Sequence, residues 1–127
     1  MLRKQIVKPA NAAAPVGPYS AAVRFGELLF CSGQIPLDPA TNNLVSGDIK
    51  AQTEQVLENI KRILLDQKLA FANVVKSTVF LTDLANFAAM NEVYARYFTV
   101  DFPARSTVQV AALPKGAQVE IEIIAHY

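Results

Sequence analysis

The sequence predicts an α+β domain, one mixed sheet with two helices packed on a single face. Three observations carry that expectation. Two stretches, around 49–65 and 86–98, place apolar residues on one helical stripe. The last fifth of the chain alternates apolar and polar residues with a period of two, the mark of half-buried strands. Strand-like runs come before, between and after the helical stretches, an order typical of helices segregated to one side of a sheet. At 127 residues the chain has the length of one domain, residues 1–127.

Gln5–Val7 reads as a short first strand. Lys8 to Pro18 holds four Ala, three Pro, one Gly and one Asn, and reads as a proline-stiffened loop that delivers Tyr19. Residues 21–25 and 27–32 read as a hairpin turning at Gly26. Its second strand is nearly all apolar up to Cys31, as expected of a strand covered on both faces. Ser32-Gly33 then interrupts it, where a glycine marks either a plain bulge or a close backbone approach.

Residues 36–47 are rich in turn formers, and Asp48 is placed to cap a helix over 49–65. Ile49, Val56, Ile60, Ile63 and Leu64 form its apolar stripe, and Glu58 and Arg62 are spaced as an i,i+4 ion pair. Val74 to Leu81 is a β-branched and aromatic strand. The second helix, about 86–98, turns Phe87, Met90, Val93, Tyr94, Tyr97 and Phe98 inward. Asn91 lies beside that stripe, where a half-buried amide needs partners.

In the tail, Val108 and Val110 alternate with Thr107 and Gln109, and Val119, Ile121 and Ile123 alternate with Glu120 and Glu122. Leu113-Pro114-Lys115-Gly116 supplies the chain reversal, so the pair reads as a hairpin. Arg105 opens the first strand, and its planar fork matches a carboxylate. Glu120 sits on a strand that is otherwise apolar, where a carboxyl with a raised pKa could hold or activate water. Taken alone, Arg105 and Glu120 read as solvated strand charges, and Tyr19 as a packing tyrosine bonded to backbone.

Composition excludes several classes. Twelve basic and eleven acidic residues leave a net charge of +1 with no basic run, which argues against a nucleic-acid surface. One His and one Cys cannot build a zinc site, and His126 at the chain end is poorly placed to activate a nucleophile. No phosphate-binding glycine loop or dinucleotide fingerprint is present, so a catalyst made from this chain is expected to work without metal or organic cofactor. The single Cys31 forms no intrachain disulfide, no secretory signal follows Met1-Leu2-Arg3-Lys4, and no apolar run has membrane-spanning length. A soluble, cytoplasmic protein without membrane partners is the expectation. The mean hydropathy of +0.23 is high for a small domain and suggests surface covered by further copies of the chain.

Four segments together resemble the RidA (YjgF) family of reactive-intermediate imine deaminases: Val16-Gly17-Pro18-Tyr19-Ser20, Cys31-Ser32-Gly33-Gln34-Ile35-Pro36, Met90-Asn91-Glu92-Val93-Tyr94, and Pro103-Ala104-Arg105-Ser106 with Val108, Ala111, Leu113 and Val119-Glu120-Ile121. They span nearly the whole chain in family order. The resemblance implies a chorismate-mutase-like fold, assembled as a homotrimer around a central barrel with pockets between subunits. It implies hydrolysis of 2-iminopropanoate and 2-iminobutanoate, or their enamine tautomers, to 2-oxoacids and ammonia. Carried over by position, Arg105 would clamp the substrate carboxylate, Glu120 would activate water, and Tyr19 would close the pocket. Ser32 and Gly33 would offer substrate contacts, and Asn91 would shape the wall. Thr107 stands where many deaminase members carry Cys; a backbone contact to substrate survives that change and a thiol role does not.

Two other classes of function use the same residues or none of them. A non-enzymatic trimer could bind a small metabolite with Arg105 and leave Glu120 structural. A chaperone-like role leaves no mark on the sequence.

Overall fold

The computed structural model describes residues 2–10, 12 and 14–127. Asn11 and Ala13, inside the expected Lys8–Pro18 loop, lie outside the described residues, as does Met1; the rest of that loop contains no helix or strand. Six strands and two helices follow in the order β1 Gln5–Val7, β2 Ala22–Phe25, β3 Leu28–Gln34, α1 Ile49–Asp66, β4 Val74–Leu81, α2 Phe87–Tyr97, β5 Ala104–Gln109 and β6 Val119–His126. They form one mixed sheet in the order β1-β2-β3-β6-β4-β5. Only β4 and β5 run parallel, joined by the α2 crossover.

One expectation fails here. The two tail strands are not a hairpin, because β4 lies between β5 and β6 and pairs with both. The turn at Pro114–Gly116 does form, as a short 3-10 segment with Lys115 and Gly116 at positive φ. It carries the chain past the end of β4 instead of folding β6 onto β5. A central slot between β3 and β4 buries both flanks of β6, and its apolar residues Val119, Ile121, Ile123 and Ala125 gain more there than beside an edge strand.

The helices cover one face. Asp48 caps α1, its carboxylate accepting the Ala51 N–H at 3.0 Å. Ile49, Val56, Ile60, Ile63 and Leu64 are buried as expected, with Leu57 added. The Glu58–Arg62 pair does not form: Glu58 accepts the Tyr97 hydroxyl at 2.8 Å, and Arg62 donates to Asn59 at 3.0 Å. A partner that ties the two helices together displaces a solvent-side pair worth only a few tenths of a kcal/mol. On α2, Met90, Val93, Tyr94 and Phe98 point inward, whereas Phe87 is exposed at the first turn.

Among the described residues no helix covers the other face of the sheet. Ile6, Phe25, Leu28, Phe30 and Val108 are all exposed there. The apolar run in β3 therefore does not mean cover on both faces within one chain: Leu29 and Cys31 are buried, while Phe30 between them is 41% exposed. On β5 the expected polarity is reversed. Arg105 and Thr107 lie on the helix side beside Ser77 and Val79, and Val108 faces out beside Phe80.

Candidate functional site

The seven expected site residues form two groups on opposite faces of the sheet. The first group is built where β3 leaves β6. The register slips between Cys31 and Gln34, with three steps along β3 matched by two along β6, so Ser32-Gly33 is a β-bulge. Gly33 is also a close approach. A Cβ there would lie 2.7 Å from the Cδ and Oε2 atoms of Glu120. No left-handed backbone calls for glycine at this position; the carboxyl does.

Glu120 leaves β6 on the helix-free face, level with Phe80 and with Glu122 two residues on. Val119 and Ile121 on either side point into the core. Burial pushes the Glu120 carboxyl above the usual carboxylate range, and the charge of Glu122 raises it further. Tyr19 approaches the same bulge. The residue is 48% exposed, its hydroxyl accepts the Val16 N–H at 3.2 Å, and its backbone N–H closes a turn on Gly17. The hydroxyl is thus bonded to backbone, as expected of a packing tyrosine, and the residue remains half-exposed.

Ser32 fastens the Tyr19 loop to the bulge: its backbone N–H donates to Ala21 at 2.9 Å and its hydroxyl to Ser20 at 2.6 Å. With its proton spent there, the hydroxyl keeps only acceptor capacity for a ligand. Between Tyr19, Ala21 and Gly33–Ile35 lies a cavity of about 30 Å³, room for about one water.

The second group is built on the helix side of β5. Arg105 is paired in register with Ser77 of β4. Its guanidinium carbon lies 4.7 Å from the centre of the Tyr94 ring and 5.6 Å from that of Phe87. Among the described residues it forms no salt bridge. Beside it opens a groove of about 320 Å³ lined by Asn91, Tyr94, Phe98, Phe102 and Pro103. Asn91 is half-buried at its wall. Thr107, one same-face position beyond Arg105, has a buried hydroxyl with no partner among the described residues. An orphaned hydroxyl of that kind is costly enough to call for an explanation.

The two groups do not meet within one chain. Arg105 is level with Ile123 through Ser77, and Glu120 lies three residues along β6, two strands away. Strand spacing and rise put the two backbones roughly 14 Å apart, with side chains on opposite faces. Among the described residues no three His, Cys, Asp or Glu side chains gather as a metal-holding group, and no helix is long and apolar enough to cross a membrane.

A family profile described as Endoribonuclease L-PSP matches residues 9–127. The chain belongs to the RidA (YjgF) family. A solved Rid-family protein from Yersinia pestis, described as of unknown function, superposes with a TM-score of 0.95 at 48% identity, covering 98% of this chain and 100% of that one. The 2-iminobutanoate/2-iminopropanoate deaminases of Capra hircus and Homo sapiens are 48% and 44% identical over 124 residues, 98% of this chain and 90% of each of those. TdcF of E. coli, solved with bound serine, has a TM-score of 0.91 at 41% identity, covering 97% of this chain and 98% of that one. The RidA fold thus accounts for the strand order that the tail alone did not reveal.

Sequence reasoning missed Ser77 and Tyr94 as neighbours of Arg105. Tyr94 was indistinguishable from the core stripe of α2. Lys76-Ser77-Thr78 is a polar interruption of an otherwise apolar strand, and that was the available signal.

Proposed function

We propose that this RidA-family protein hydrolyses small 2-imino acids, such as 2-iminopropanoate and 2-iminobutanoate, to the 2-oxoacid and ammonia. The observation that carries the proposal is end-to-end similarity to proteins named for that activity, 48% identity over 98% of the chain. The site chemistry supports it. Arg105 offers a charged fork with no carboxylate of its own to satisfy, which suits a substrate carboxylate. Glu120 in its carboxylate form takes a proton from water as the oxygen attacks the C=N carbon. The imine nitrogen enters protonated and takes the water's proton back from Glu120; as the C–N bond breaks and ammonia leaves, the remaining hydroxyl gives its proton to the Glu120 carboxylate and becomes the carbonyl of the 2-oxoacid. Imine hydrolysis makes small demands, so holding the acid and placing one water suffices. Tyr19 closes the pocket, Ser32 and Gly33 contact the substrate, Asn91 shapes the wall and Thr107 contacts the carboxylate through its backbone. The chemistry draws on these side chains without a metal or organic cofactor.

The site is completed between copies. Because Arg105 and Glu120 diverge across the sheet, the arginine of one subunit serves the glutamate of the next, in a homotrimer whose barrel is lined by the exposed apolar face. Covering Phe30 and its neighbours regains about 25 cal/mol for each Å² removed from water. The expected place of work is the cytoplasm, on metabolites and not on nucleic acid or membranes.

The test is release of 2-oxobutanoate from freshly generated imine. Arg105→Ala is expected to lose the activity while leaving the assembly intact, at a cost on the order of 2–5 kcal/mol in transition-state binding. Unchanged turnover by the variant refutes the clamp. A second reading is favoured by the serine-bound relative: the same pocket binds a small metabolite without turning it over. Glu120→Gln separates the two, since a binder keeps its ligand and an enzyme loses its rate.

A further inference from the structure

We infer that Ser77 and Tyr94 are positioning residues for Arg105: their mutual hydrogen bond fixes the tyrosine ring as a platform that holds the guanidinium in place before a carboxylate arrives. The inference rests on the reading of Arg105 as the carboxylate clamp.

Ser77 is fully buried in β4, directly across the parallel ladder from Arg105. Its hydroxyl and that of Tyr94 lie 2.7 Å apart in the core. The tyrosine ring is held by aromatic packing as well. It stacks on Phe98 with centroids 4.2 Å apart and planes 20° apart, and Phe98 meets Phe71 edge-on at 4.9 Å. The ring therefore has little freedom to turn. Arg105 lies 4.7 Å above it, inside the range of a cation–π contact.

The choice of partner matters chemically. A carboxylate would hold Arg105 through the same in-plane N–H donors that a substrate needs. An aromatic ring attracts the guanidinium through its π face, so among the described residues no neighbouring carboxylate takes up the donors that a substrate needs. The phenol keeps its proton, because burial pushes its pKa up more than the Ser77 bond and the charge and hydrogen bonding of Arg105 lower it. It can therefore go on bonding Ser77 beside a cation.

The experiment measures two things on Ser77→Ala, Ser77→Thr, Tyr94→Phe and Tyr94→Leu: nitrogen-15 relaxation of the Arg105 Nε group, and the Kd for 2-oxobutanoate. Ser77→Ala and Tyr94→Phe should loosen Arg105 and raise Kd about three- to tenfold, the worth of one buried hydrogen bond. Tyr94→Leu should do more, and Ser77→Thr should restore both. In an Arg105→Ala background the Tyr94 substitutions should no longer change Kd. Tyr94→Phe keeps the ring and its stack, so the test stands even where Tyr94→Leu does not fold. Wild-type Nε order in every variant overturns the inference, as does an equal Kd penalty with and without Arg105. If Arg105→Ala leaves Kd unchanged while Tyr94→Leu still frees the Nε group, the clamp reading fails and the platform stands.

Discussion

Replacing Gly33 by alanine tests the link between the bulge and the carboxyl of Glu120 that is proposed to activate water. The added Cβ would lie 2.7 Å from two Glu120 atoms and 3.0 Å from its Cγ, where ordinary contact begins at 3.4 Å. The carboxyl must therefore retreat by 0.7 Å or more. Glu120 is only half-buried and its side chain can swing, so the stability cost falls at the low end for overpacking, about 1 kcal/mol. The catalytic cost is larger, because displacing a reacting group by about 1 Å loses on the order of 100-fold in rate. The predicted variant is thus folded and slow, with kcat down by about 10- to 100-fold. Oxoacid release under saturating imine reads the rate, and thermal unfolding reads the fold. In a Glu120→Gln background the same substitution should add little to the loss. A Gly33→Ala protein with wild-type kcat would mean that the Glu120 position next to the bulge is irrelevant to turnover.

Two further predictions concern pH and support. In the proposed reaction Glu120 acts as the carboxylate, and its pKa is raised by burial and then by Glu122, so activity should fall on acidification at a higher pH than an ordinary carboxylate would dictate. Glu122→Gln removes one of the two causes and should move that acidic limb to lower pH in a kcat/KM profile. The same raised pKa means that stability is fully present below the usual carboxylate value and declines as pH rises through the folded one, which urea midpoints can follow. Asn59 is buried in α1 and donates to the carbonyls of Ile35 at 3.3 Å and Leu37 at 2.8 Å. Asn59→Ala should cost roughly 1–3 kcal/mol by leaving those carbonyls unpaired, seen as a lower urea midpoint, and should loosen the strand exit that carries Gly33.

Local features were legible in the sequence where local chemistry decides them. Asp48 caps its helix, the α1 stripe is buried, and Ser32-Gly33 is both a bulge and a close approach. The tail failed because alternation reports that a strand has two faces and is silent on its neighbour. Pro114 and Gly116 make a turn whether or not the next strand folds back beside the last. The polarity of β5 reversed for a related reason: Arg105 and Thr107 lie on the helix side, where Tyr94 and the groove receive the arginine, and Val108 faces the uncovered side. The placement of Arg105 and Glu120 on opposite faces, two strands apart, follows from strand order and was beyond any local pattern. The resemblance supplied what periodicity could not, a reason to look at Arg105 and Glu120 together.

The proposed reaction needs these two residues to come from different copies, and mixing subunits measures that directly. Arg105→Ala and Glu120→Gln chains, each inactive alone, are unfolded together in equal amounts and refolded. In a cyclic trimer with shared sites, every mixed assembly regains one intact site of three, so about one quarter of wild-type activity should return. Recovery near that level supports a site shared between neighbours. Mixed trimers that form and remain inactive would contradict it.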